Sequence, residues 1–147
     1  MAVAEQRARR RQYATFVVDD LFFGVDVLRV QEVLRYQEMT AVPRSDGIIE
    51  GLINLRGQMV TALDMRRRLN LEQRADCETP MNVVLRSDCG AVSLLVDDIG
   101  DVIEVDPESF EPPPATLEPS AREMLEGVYK LEDRLLLVLA PDQVLEL

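Results

Sequence analysis

Apolar residues in this chain come in short runs, each broken by a pair or cluster of turn formers. That rhythm fits strands far better than long helices. Tyr13 to Val18 and Leu21 to Val27 are rich in β-branched and aromatic residues, and Asp19-Asp20 between them suits a tight hairpin. The next stretch, VLRVQEVLR from Val27 to Arg35, has i, i+3 spacing that fits a helix or a strand. Its β-branched Val27, Val30 and Val33, and its place between strands, favour a strand. After the turn-rich Ala41 to Gly47, Ile48 to Asn54 and Met59 to Leu63 form a second hairpin around Arg56-Gly57. Gly57 accepts a positive φ there at little cost. Asp64 to Leu69 reads as a short helix started by an Asp cap.

The second half has the same style. Asn82 to Arg86 and Ala91 to Val96 flank the turn SDCG, and Ile99 to Val105 is a further strand. Asp106 to Ser120 carries Pro107, Pro112, Pro113, Pro114 and Pro119, which predicts an extended connection. Ala121 to Leu125 has room for one or two helical turns. Gly127 to Leu131 and Leu135 to Leu139 make a last hairpin around Glu132-Asp133, and Pro141 can open a closing helix. Many short strands and few helices predict an all-β fold, with two barrels of about five strands each. Closure would remove the exposed edges of such short strands. The pattern does not decide which strand belongs to which barrel, and a late strand returning to the first barrel is compatible with it.

The chain has 147 residues, 47% of them hydrophobic and 29% charged, which suits a soluble domain with a packed core. No apolar run approaches the roughly 20 residues that span a bilayer. The start, MAVAEQRARRRQY, is basic and has no signal-peptide apolar segment behind it, so a cytoplasmic location is expected. Cys77 and Cys89 are too few for a disulfide framework and lack the histidines of a zinc site; two reduced thiols are expected.

The net charge of -11 is uneven: residues 1–74 carry 12 Lys+Arg against 10 Asp+Glu, residues 75–147 carry 4 against 17. So acidic a half repels phosphate backbones, and nucleic-acid binding is not expected. Arg7, Arg9, Arg10 and Arg11 could touch an anionic partner, but they read more simply as a solvated arm over residues 1–12, ahead of a domain over 13–147.

The chain contains no histidine. That removes the commonest general base, the favoured transition-metal ligand and any phospho-accepting histidine. No Walker A loop, G-x-G-x-x-G or G-x-S-x-G stands in the sequence. Asp97, Asp98 and Asp101 cluster in VDDIGD, but without calcium-loop spacing or its terminal glutamate; a surface turn is the simpler reading. A carboxylate-based, metal-dependent hydrolase is the alternative of another class, and nothing marks out the acid pair it needs. No catalytic residue, cofactor or metal is expected.

The segment Ile49 to Leu71, IEGLINLRGQMVTALDMRRRLNL, resembles the central signature of the CheW family: an apolar strand, N-L-R-G, a second apolar strand, then an Asp-led helix. Phe22 to Arg35, Ser93 to Val105 and Gly127 to Leu145 resemble that family's other strands, in the expected order. Thr61 and Ala62 depart from its usual Pro-Val or Pro-Ile, and Met65 from its leucine; these are mild changes of a size such positions tolerate. The resemblance implies two SH3-like β-barrels, with strands exchanged between lobes and a hydrophobic groove between them. It also implies a non-enzymatic adaptor, monomeric outside arrays, joining chemoreceptor cytoplasmic tips to the CheA histidine kinase's CheW-like regulatory domain. Such an adaptor would be recruited to membrane receptor arrays without inserting into the membrane. A CheW-like adaptor in a non-chemotactic chemosensory pathway fits equally. The fused CheV type, with its receiver domain, is not supported.

By the same resemblance, Arg56 presents a forked guanidinium to a receptor carboxylate; the plainer reading is an arginine that solvates a turn. Asn54 stabilises that turn beside Gly57. Val30, Glu32 and Val33 match the groove-lining stretch. Val30 either receives a receptor helix or belongs to the core, and Glu32 is a rim charge or a solvent-facing one. Val102 matches a position on the other barrel facing the same groove.

Overall fold

A computed structural model describes residues 11–40, 49–72, 79–87 and 90–144. Ten strands run through them: β1 (Arg11–Val18), β2 (Leu21–Asp26), β3 (Val30–Leu34), β4 (Ile49–Leu55), β5 (Gln58–Asp64), β6 (Met81–Ser87), β7 (Gly90–Val96), β8 (Asp98–Val105), β9 (Leu125–Lys130) and β10 (Leu135–Leu139). The basic arm up to residue 10, the Ala41–Gly47 turn, Cys77 and Cys89 lie outside the described residues. Single helical turns at Met65–Arg68, Pro119–Arg122 and Pro141–Val144 complete the fold. The first is capped as expected, the Asp64 Oδ1 accepting the Arg66 N–H at 3.0 Å.

The strands form two five-stranded sheets. The first has the order β8-β1-β2-β10-β9 and the second β3-β6-β7-β5-β4. Each is antiparallel apart from one central parallel pair, β10 with β2 and β5 with β7. The chain leaves the first sheet after β2, builds the whole second sheet, and returns at β8. The exchange of strands follows directly from this order.

The first crossing corrects the extended reading of Val27 to Arg29, which form a 3-10 turn. Asp26 causes it: its Oδ1 accepts the Leu28 N–H at 2.9 Å, a local bond that competes with the ladder and diverts the chain between sheets. The proline-rich connection also holds one such turn, at Pro107–Ser109, where Asp106 accepts the Glu108 N–H at 3.0 Å.

Alternation along the strands sorts the core into three layers. Phe16, Phe23 and Leu137 of the first sheet pack with Leu63, Val83 and Leu94 of the second, filling the seam between sheets. Their neighbours face the other way. Tyr13, Tyr129, Leu136 and Val138 gather on the first sheet's far face. Ile53, Leu55, Val60, Ala62, Val84 and Leu95 gather on the second's.

Both sheets curl around these far faces. Tyr13 and Tyr129 stand three strand positions apart, about 14 Å in a flat sheet, yet their ring centroids are 5.8 Å apart. Arg56, beyond the end of β4, likewise reaches Glu32 on the opposite edge strand β3.

Candidate functional site

The β4–β5 connection is a two-residue turn in which both Arg56 (φ 51°) and Gly57 (φ 87°) are left-handed. From the sequence, a positive φ is expected at Gly57 alone. A tight hairpin that follows the strand twist requires it at both positions, so the arginine accepts an unfavourable backbone. Asn54 steadies the turn as expected: its Oδ1 accepts the Gly57 N–H at 2.9 Å.

This backbone carries the Arg56 guanidinium over the open end of the second sheet's interior. There Nη1 donates to both carboxylate oxygens of Glu32, at 2.8 and 3.2 Å. Glu32 is only 19% exposed whereas Arg56 is 73% exposed. One nitrogen makes the whole contact, so Nε and Nη2 have no acceptor among the described residues. The pair therefore orients the guanidinium through one nitrogen while the rest of its fork faces outward. The sequence marks Arg56 and Glu32 as site residues but does not pair them. They are far apart in the chain, and only curling of the sheet brings them together.

Val30 and Val33 share the strand of Glu32 but face the other way. A register shift between Val30 and Glu32 puts both valines on the side of Leu85 and Val83, the side turned to the first sheet. Val30 packs partly against the seam, and Val33 is 40% exposed at its edge. Val102 stands on β8, an edge strand of the first sheet. It is 54% exposed and lies opposite Ala14, which also packs on the seam. Arg56, Glu32, Asn54 and Gly57 thus form one contact group. The three valines lie apart from it, on edge strands of both sheets and on the faces those sheets turn toward each other.

Met59, opposite Asn54, and Leu28 and Tyr36 are also exposed, and none of them is among the site residues expected from sequence. Alternation from buried Val60 places Met59 outward, and that was the available signal. Leu28 gave none, because its exposure follows from the 3-10 turn.

The Asp97–Asp101 cluster does not act as a unit. The Asp97 carboxylate is held by Arg66 through two bonds of 2.7 and 2.8 Å, and Asp98 accepts the Ile99 N–H. Among the described residues, no three His, Cys, Asp or Glu side chains come together where they could hold a metal. No helix there is long and apolar enough to cross a membrane.

The model of the CheW-like domain matches residues 12–147. "Chemotaxis protein CheW" of Bacillus subtilis is 32% identical over 132 residues, 89% of this chain and 84% of that protein. The protein of the same name from Klebsiella aerogenes is 27% identical over 92% of this chain and 81% of its own length. The crystal structure of the scaffolding protein TtCheW from Thermoanaerobacter tengcongensis superposes with a TM-score of 0.82 at 26% identity, covering 93% of each chain. The chain belongs to the CheW-like domain family.

Proposed function

We propose that this chain is a non-enzymatic chemotaxis scaffold that holds a chemoreceptor's cytoplasmic tip and a CheA-type histidine kinase together. The observation that carries the reading is the Arg56 turn: an exposed guanidinium, oriented by Glu32, whose other donors meet no acceptor among the described residues. The seam valines lie apart from that turn: Val30 and Val33 on one sheet edge and Val102 on another offer apolar contact to a receptor helix. Arg56 supplies direction and the valines supply area, a division common in interfaces with a few dominant residues.

A scaffold of this kind lowers no chemical barrier. It raises the effective concentration of one partner near the other and fixes their mutual orientation. A receptor that changes state then biases the kinase to the extent that the scaffold contacts its two states differently. The chain works in the cytoplasm as a monomer until receptors gather it into arrays.

The test replaces Arg56 by glutamate. Arg56→Glu sets like charges against Glu32 and removes the outward donors. Binding of a receptor-tip fragment, measured by calorimetry, is expected to weaken at least about tenfold, with an unchanged circular dichroism spectrum. Receptor binding as tight as that of the unmodified chain contradicts the assignment.

A further inference from the structure

The second crossing between sheets is a single residue. β7 ends at Val96 in the second sheet, β8 begins at Asp98 in the first, and only Asp97 stands between them. Its groups reach both sides. The Asp97 N–H donates to the Val17 carbonyl of β1 at 3.0 Å. Its Oδ2 accepts the Asp19 N–H, in the β1–β2 turn, at 2.6 Å. The same carboxylate receives a two-pronged contact from Arg66, Nε to Oδ1 at 2.8 Å and Nη2 to Oδ2 at 2.7 Å. Arg66 belongs to the helical turn that follows β5 of the second sheet, and its Nη1 donates to the Glu72 carbonyl at 2.9 Å. Both side chains are mostly buried, 15% exposed for Arg66 and 17% for Asp97.

The shared apolar core holds the sheets together, but hydrophobic contact has no direction and tolerates sliding of one packed layer on another. A planar guanidinium gripping a carboxylate in a forked geometry does have direction. A buried ion pair is weak evidence for stability, because desolvation offsets much of the attraction. Its position at the one-residue crossing between sheets calls for another role.

We propose that Arg66 and Asp97 are positioning residues that fix the angle between the two sheets, and with it the setting of Val102 relative to Val30 and Val33. The part of this that concerns partners rests on the receptor-binding reading above; the part that concerns the angle does not.

The experiment measures backbone N–H residual dipolar couplings in the full chain, for the unmodified protein, Asp97→Asn and Arg66→Lys. Arg66→Lys keeps the charge and loses only the fork, so it provides a folded comparison if Asp97→Asn does not fold. A receptor-tip fragment is titrated into each. In the unmodified chain one alignment tensor should fit both sheets. In the variants each sheet should still fit its own structure, the two tensors should separate, and the fragment should bind about tenfold more weakly. One tensor fitting both sheets of a folded variant overturns the proposal. Separated tensors with unchanged binding overturn its link to the groove. Failure of the unmodified chain to bind the fragment counts against the receptor reading alone, and the couplings still decide the angle.

Discussion

The two sheets share a plan and differ in how they are finished. Each has five strands, one parallel pair at its middle and a covered outer strand. In the second sheet, Thr40 bridges Leu52 of β4; in the first, Glu111 bridges Val128 of β9. A glycine permits each close approach. A Cβ on Gly51 would stand 2.7 Å from the Thr40 carbonyl oxygen, and one on Gly127 would stand 2.5 Å from that of Glu111 and collide with the Phe110 ring.

The interiors differ in kind. The first sheet closes with rings, Tyr13 against Tyr129 and Tyr129 edge-on to Phe110. The second encloses a polar pair, the Ser93 hydroxyl donating to the Asn82 Oδ1 at 2.8 Å, and is capped by Arg56 on Glu32. One design thus serves two ends. The aromatic closure buries Tyr13 and Tyr129, whereas the ionic closure leaves a directed charge at the surface.

The largest expected effect falls on what the sheets share. Leu94 is fully buried in the seam. Leu94→Ala should lower stability by about 2–5 kcal/mol, and fluorescence and circular dichroism should report one common transition. Two separate transitions would show that the sheets fold independently and do not share one core.

Next comes the aromatic closure. Burial, reinforced by the hydrogen bond with Tyr129, raises the Tyr13 hydroxyl pKa well above its ordinary 10.0. The folded state therefore favours the neutral phenol. That contribution is complete below about pH 10, where tyrosine in the unfolded chain titrates, and fades as pH rises toward the higher folded value. The melting temperature should drop above about pH 10, and Tyr13→Phe should flatten the drop. An equally steep fall in the variant would remove the assignment to Tyr13.

The ionic closure should matter least to stability. With Arg56 mostly in water, Arg56→Ala should change the unfolding free energy by less than about 1 kcal/mol in urea titration. A much larger loss would make the pair a structural latch in the manner of the tyrosines.

Much of this was legible in the sequence because the signals are local. Asp64 as a helix cap, Asn54 as a turn residue and the Leu135 to Leu139 strand each follow from residue type and near neighbours. The strand at Val30 to Leu34 was also readable, but the turn just before it was not: Asp26 competes there with a β-branched run, and side-chain bonding decided the outcome. The pairing of Glu32 with Arg56, and of Arg66 with Asp97, depends on sheet curvature and on strand exchange. Neither leaves a periodic trace in the chain. The site residues could be named singly, while their grouping had to come from topology.

A scaffold that holds two partners at once should reveal itself in a bridging measurement. An immobilised receptor-tip fragment is incubated with a CheA-type kinase, with and without this chain, and the retained kinase is quantified. Kinase retention should rise at least about tenfold when the chain is added and return to background with Arg56→Glu. Retention that does not depend on the chain, or that survives Arg56→Glu intact, would contradict the account.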